Sequence, residues 1–221
     1  MADLQPGVRL PRVSGVTRLD HLVLATPHLS ETVQLVTRLL GVAPVAGGRH
    51  PGLGTRNFLL GLGDGGYLEL IGPDPAQPTP DRPRPFGIDE LPQARLVTWA
   101  VAVPDIDAAI DRARAAGYDP GDAREMSRTT PAGDTLRWRL TAERAGGPGG
   151  TVPFLIDWGT TAHPAQDLPE ATLESLVAIG PDPTTVSERL HALGAELPVR
   201  PGLRNTLLAT VIGPAGPITL H

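Results

Sequence analysis

Three stretches of the chain share one hydrophobic outline: a short apolar β-like run, a helical stripe, a glycine stop and further strands. The first run is Arg18 to Ala25. Strand side chains alternate, so Leu19, His21 and Val23 share one face and Asp20, Leu22 and Leu24 the other. Ser30 is placed to cap a helix. Val33, Val36, Leu39 and Leu40 then fall at helical spacing, and Gly41 can take the left-handed conformation that ends it. A glycine-rich connection, Ala46 to Gly54, leads to a strand over Asn57 to Leu62. The turn Gly63-Asp64-Gly65-Gly66 returns the chain as a strand over Tyr67 to Ile71.

The outline recurs from Leu96. Asp105 is a capping residue, Ile106, Ala109, Ile110 and Ala113 form the stripe, and Gly117 is the stop. Leu136 to Thr141 alternates like a strand, Ala145 to Gly150 is a loop, and Val152 to Trp158 is the closing strand. It recurs again from Leu173, where Asp182 caps, Pro183 takes the first helical position, Val186, Leu190 and Leu193 form the stripe and Gly194 stops it. The segment Pro51-Gly52-Leu53-Gly54-Thr55-Arg56-Asn57 has a shorter echo in Pro201-Gly202-Leu203-Arg204-Asn205, and Gly63 to Leu70 is echoed by Gly213 to Leu220. Repeats of this size mean stacked or paired copies of one supersecondary unit. Between Gly72 and Pro92, seven prolines exclude regular ladders and helices. The expected organisation is an N-terminal arm over 1–17, a first βαβββ module over 18–73, a proline-rich linker over 74–94, a second module over 95–160 and a third, shorter one over 161–221. The fold class is α+β.

Composition narrows the chemistry. The 221-residue chain has no cysteine, which removes disulfides, thiolate catalysis and cysteine-zinc sites. It also has no lysine, so Schiff-base chemistry is excluded; all 19 basic side chains are arginine. The net charge of -5 gives no electrostatic reason to expect nucleic acid or an anionic membrane as partner. The first sixteen residues lack the apolar core of a signal peptide, and no apolar run approaches the ~20 residues of a membrane span. A cytoplasmic protein with a small-molecule ligand is the expectation.

The repeated strand, helix and meander resembles the βαβββ module of the vicinal oxygen chelate superfamily, which includes glyoxalases and bleomycin-resistance proteins. The glyoxalase-like branch is most similar. It shares an opening like Leu19-Asp20-His21, a segment like Gly48 to Asn57 and a strand like Tyr67-Leu68-Glu69-Leu70. The second unit resembles that branch in Ser127-Arg128-Thr129, Leu136-Arg137-Trp138-Arg139 and Pro153 to Gly159. The resemblance implies a helix on one side of each sheet and a cleft on the other. Leu22, Leu24, Leu68 and Leu70 suit the helix side, leaving His21, Val23, Tyr67 and Glu69 for the cleft.

In that superfamily, metal ligands sit on the first and last strands of a module. The resemblance therefore implies His21 and Glu69 as catalytic residues, or as ligands of a divalent Zn, Fe, Mn or Ni ion. A hydrogen-bonded pair without metal is the alternative. Alignment on Pro27, Pro104 and Pro181 puts Thr98 and Ser175 opposite His21, and Ile156 or Asp157 opposite Glu69, so the four-ligand pattern is absent. His50 becomes a further ligand only if its loop folds inward. Arg56, Asn57 and His50, in the glycine-rich segment, suit a carboxylate or enolate; the same segment also reads as a hairpin entry with solvated arginines. Tyr67, Arg128 and Trp138 complete the substrate-binding set, and His163 is placed for the cleft mouth. All three tryptophans fall in the second unit, as a cleft wall or as core packing.

The implied function is a lyase, isomerase or dioxygenase type of enzyme acting on a compact carbonyl or anionic substrate. The rival is a binding protein that sequesters a drug-like metabolite. Three is an odd number of units for a fold that pairs them, so a homodimer stays open.

Overall fold

The structure, a computed structural model, describes residues 18–141 and 150–221. The N-terminal arm and most of the Ala145 to Gly150 loop lie outside the described residues. The chain opens with β1 (Arg18–Ala25), α1 (Leu29–Leu40), β2 (Val45–His50), β3 (Thr55–Gly61) and β4 (Tyr67–Pro73). A 3-10 turn at Pro85–Glu90 leads to β5 (Arg95–Ala102), α2 (Ile106–Ala115), β6 (Arg124–Thr129), β7 (Thr135–Leu140) and β8 (Phe154–Asp157). The last unit is β9 (Thr172–Gly180), α3 (Pro183–Ala192), β10 (Val199–Pro201), β11 (Thr206–Gly213) and β12 (Gly216–Leu220).

The first eight strands close into a barrel in the order β1-β4-β3-β2-β6-β7-β8-β5. Within each half the opening strand runs parallel to the closing one, β1 beside β4 and β5 beside β8. The halves meet at two seams of unequal strength. β1 and β5 pair antiparallel along their whole length, whereas β2 and β6 share a single register position, Arg49 opposite Thr129. Alternation then separates two apolar surfaces. Leu22, Leu24, Leu68 and Leu70 pack outward in one core with α1 and α2 residues, while Val23, Ala25, Ile71 and Phe154 turn inward.

The third unit repeats the order of elements but not their pairing. Its sheet runs β10-β9-β11-β12, with β9 in the middle, parallel to β10 and antiparallel to β11. An opening strand beside its own closing strand, the arrangement of the first two units, is therefore not copied. The crossover through α3 lays the 3-residue β10 directly beside β9, the usual outcome of a strand–helix–strand connection. Leu173, Leu176, Leu207 and Val211 belong to the core that holds α1 and α2. This sheet thus covers the helical side of the barrel.

Local chemistry explains most boundaries. Asp105 and Asp182 cap α2 and α3 by accepting from Ala108 N and Thr185 N, each at 3.0 Å. Gly41 ends α1 at φ 71°. Ser30 does not cap: α1 begins at Leu29, and the Ser30 hydroxyl instead accepts from Arg56 Nη2 at 3.3 Å. The expected connection from Ala46 to Gly54 is for the most part strand β2, which carries His50 into the barrel. The proline-rich linker is also packed, with Ile88 fully buried.

Gly213 lies where the last sheet meets the end of α1. A Cβ there would stand 2.2 Å from the Leu40 carbonyl oxygen, which already accepts from Ala215 N at 3.0 Å. Gly213→Ala is expected to cost about 1–3 kcal/mol. A urea titration reads this as a lower midpoint; an unchanged midpoint would mean that this contact yields freely.

Candidate active site

The barrel encloses a cavity of about 270 Å³. The first half supplies His21, His50, Asn57, Tyr67 and Glu69; the second supplies Arg128, Trp138, Phe154, Ile156 and Trp158. Pro85 and Phe86 of the 3-10 turn also line it. Phe86 does so from the left-handed region, at φ 61°, a conformation that costs a residue with a Cβ about 1–2 kcal/mol.

Strand β1 has a bulge where the site needs one. Leu19 faces Val101 and His21 faces Ala100, leaving Asp20 as an extra residue. The bulge overturns simple alternation. Asp20 does not point with Leu22 and Leu24 toward the helices but turns its carboxylate to the neighbouring imidazole. Asp20 is fully buried. Its Oδ1 lies 2.6 Å from His21 Nδ1, and its Oδ2 lies 2.9 Å from both Trp158 Nε1 and His163 Nε2. Burial alone would raise the Asp20 pKa; hydrogen bonds from His163 and His21 act against it, and the carboxyl is held well below the usual range. An ionised carboxylate only accepts hydrogen bonds. His21 therefore carries its proton on Nδ1 and presents Nε2 to Glu69, whose Oε2 is 3.8 Å away. Tyr67 stacks on the imidazole with ring centres 4.7 Å apart.

A second polar chain crosses the barrel. Asn57 Nδ2 donates to Glu69 Oε1 at 2.6 Å, and Asn57 Oδ1 accepts from Arg128 Nη1 at 3.2 Å. The Asn57 amide thus links a carboxylate of one half to a guanidinium of the other. Gly47 makes room for this link: a Cβ there would stand 2.4 Å from both Arg128 Nη1 and Asn57 Oδ1. His50 Nδ1 meets Thr55 Oγ1 at 3.0 Å, while its Nε2 lies 4.0 Å from Glu69 Oε1. Burial lowers the Arg128 pKa, and the nearby Tyr67 and Glu69 oppose that shift.

Of the eight residues expected at the site, Arg56 is not in the cavity. Neighbours on a strand face opposite ways, so with Asn57 turned in, Arg56 turns out over the Phe58 ring at 5.9 Å. Arg49, beside His50, likewise lies outside, against Asp74 at 3.4 Å. Asp157 is no counterpart of Glu69. Its carboxylate accepts from Ile106 N at 3.2 Å and Gly159 N at 2.8 Å. Val23 pairs with Glu69 and Ala100 with Phe154, so an apolar ring stands where the second half would have matched Glu69. The tryptophans divide: Trp99 packs in the helical core, while Trp138 and Trp158 form a cavity wall with ring centres 5.1 Å apart.

The donor set does not fit a resident metal. His21 and His50 approach different oxygens of Glu69, and among the described residues no three His, Cys, Asp or Glu side chains converge with ligating spacing. A catalytic metal usually takes three protein ligands. Nor does any helix among the described residues have the length and apolar character to cross a membrane. Alternation from His21 missed Asp20, and the bulge that turns it inward leaves no mark in the hydrophobic pattern.

A barrel closed from two strand–helix–three-strand halves around a histidine and a glutamate defines a protein of the vicinal oxygen chelate type. The chain belongs to the glyoxalase-like domain family, whose model matches residues 19–194. Among solved structures it is similar to a hypothetical protein from Staphylococcus aureus, at 12% identity and TM-score 0.66, over 93% of this chain and 99% of that one. It is also similar to a variant of 4-hydroxymandelate synthase from Streptomyces coelicolor, at 16% identity and TM-score 0.53, over 92% of this chain and 62% of that one. A methylmalonyl-CoA epimerase from Mycobacterium tuberculosis matches at 21% identity and TM-score 0.43, over 65% of this chain and 88% of that one. No curated protein matches the chain.

His50 makes the site sensitive to acid. Burial lowers its pKa from 6.5; Glu69 opposes the shift and Arg128 adds to it. Below pH 6.5 the unfolded chain binds a proton at His50 that the folded chain does not. Stability is therefore expected to fall as the pH drops from 6.5 toward the folded value. The fall should be smaller in His50→Gln. Denaturant midpoints on either side of that pH compare the two; equal losses would mean that His50 titrates normally.

Proposed function

We propose that the chain is a small-molecule enzyme that moves a proton beside a carbonyl group in a compact, oxygen-rich substrate. The observation that carries this reading is the approach of His21 Nε2 to Glu69 Oε2, 3.8 Å apart in the cavity, with Asp20 behind the imidazole. A gap of that size exceeds a hydrogen bond, so the two groups are not locked to each other. Either can act as base on a C–H bond presented to both from the cavity. Removal of that proton leaves an enolate, and Arg128 supports its oxygen as a fixed positive group in a buried site. Return of the proton to carbon gives an isomerase; departure of a neighbouring group gives a lyase. No step is routed through a metal.

The arrangement also gives the halves different tasks. The first half holds the proton-transfer groups, and the second holds Arg128 and the apolar wall. We take the first two units as paired βαβββ modules and the third as a cover on their helices. The working unit is then one chain with its small-molecule ligand.

The paired rings of Trp138 and Trp158 favour a second reading, in which a flat metabolite is bound without reaction. One experiment separates the two. Small keto acids and hydroxy ketones are incubated with the protein in deuterated water, and loss of carbon-bound hydrogen is followed by NMR. The enzyme reading expects exchange that falls at least about 100-fold in Glu69→Gln. Exchange unaffected by Glu69→Gln and by His21→Gln rejects it. Saturable binding with no exchange supports sequestration.

A further inference from the structure

We propose that Trp158 and His163, in the segment leaving the barrel, are positioning residues that act through Asp20 to hold His21 with its Nε2 lone pair open to the cleft. The purpose of this device rests on the reading of His21 as a base; the geometry is independent of that reading.

Asp20 has two carboxylate oxygens with separate duties. Oδ1 faces His21 Nδ1 at 2.6 Å, and Oδ2 is shared by Trp158 Nε1 and His163 Nε2, both at 2.9 Å. The indole N–H can only donate. The tautomer of His163 is set from its other side: Nδ1 accepts the Ala165 N–H at 3.3 Å, so the proton lies on Nε2 and is donated to Asp20. The carboxylate is clamped at one end by two donors that cannot reverse. Its other oxygen faces His21, with the Tyr67 hydroxyl also bonded to the carboxylate, and rotation to another orientation would break both clamping bonds.

A base needs this arrangement because imidazole has two nitrogens and only one is free when the ring is neutral. Without a partner at Nδ1 the proton can sit on either nitrogen, and the ring that holds it on Nε2 cannot accept one from a substrate. When Nε2 takes a proton, the buried carboxylate behind the ring balances the new charge. Contacts between rings reinforce the coupling. His163 meets Tyr67 edge-on at 5.7 Å and Trp158 at 5.6 Å, and Tyr67 is the ring stacked on His21. The segment itself is tied to the end of β8 by Gly159 N to Asp157 Oδ1 at 2.8 Å and Thr161 N to Trp158 O at 2.8 Å. The base of the first half is thus oriented by residues anchored to the second.

The test is the protonation pattern of the His21 ring, read by long-range ¹H–¹⁵N NMR on the labelled full-length protein. The wild type is expected to show Nδ1 protonated and Nε2 bare. In Asp20→Asn the side-chain oxygen can still accept from Trp158 and His163 while the amide N–H faces His21, so the pattern should reverse, with the proton on Nε2. In the double variant Trp158→Phe, His163→Phe the aromatic packing is kept and both clamping donors are lost; a mixture of the two tautomers is expected. His163→Gln, which can still donate to Oδ2, should keep the wild-type pattern. Should the double variant fail to fold, His163→Phe alone is read for the same loss of a single tautomer. A wild-type ring protonated on Nε2 overturns the proposal. So does a folded Asp20→Asn variant with unchanged pattern, or a single Nδ1–H tautomer surviving removal of the clamping donors. If the wild type shows the expected tautomer but no hydrogen exchange with any substrate, the functional reading falls and the positioning role stands.

Discussion

A carboxylate that is fully buried has to be paid for in hydrogen bonds, and Asp20 shows where they come from. An ionised group removed from water costs several kcal/mol unless donors replace its hydration. Asp20 draws donors from His21 beside it in the chain, from Tyr67, and from Trp158 and His163 more than a hundred residues away. The two distant donors come within reach only when the barrel closes and the chain leaves β8 at the correct angle. One buried charge therefore ties the opening strand of the first half to the end of the second. It also fixes which nitrogen of His21 faces the cavity.

The other joint of the barrel works by the same rule. Along β2 and β6 the backbone contributes one register pair, so this seam has little ladder to hold it. The Glu69–Asn57–Arg128 chain bridges the halves with side chains, and Gly47 gives the guanidinium the space to reach. The two polar chains run in from opposite seams and meet in the cavity, where His21 Nε2 and Glu69 Oε2 are 3.8 Å apart. Around them the second half contributes mostly apolar lining, with Phe154 where a carboxylate matching Glu69 would make the site symmetric. The third unit's residues do not line the cavity; its sheet packs against α1 and β5, and α3 packs against α2.

Much of this is legible in the sequence alone. Period-two alternation separates Leu22, Leu24, Leu68 and Leu70 from His21, Tyr67 and Glu69, because from His21 onward β1 pairs with β4 without a register shift. Asp105, Asp182, Pro183 and Gly41 mark helix ends by their own chemistry. The readings that fail are those where a neighbour in space decides. Ser30 has capping chemistry but is drawn to Arg56. The echo of Pro51 to Asn57 in Pro201 to Asn205 does not carry the same turn: Gly52 and Gly54 have positive φ and Gly202 does not, and the flanking strands β10 and β11 do not pair with each other. A bulge inserts one residue and reverses the facing of Asp20, and hydrophobicity leaves no trace of it.

By itself, then, the sequence determined the three helices and most of the longer strands, the faces of the regular strand segments and the helix-ending glycines, since these depend on each residue's own conformational preferences and on spacing along one strand. Tertiary structure decided the order of strands in the last sheet, the inward turn of His50 and Asp20, and the outward turn of Arg56. It also decided that Trp158 and His163 meet Asp20. Each of these depends on pairing register and on the closure of the barrel, where the cost of burying a polar group is settled by partners far away in the chain.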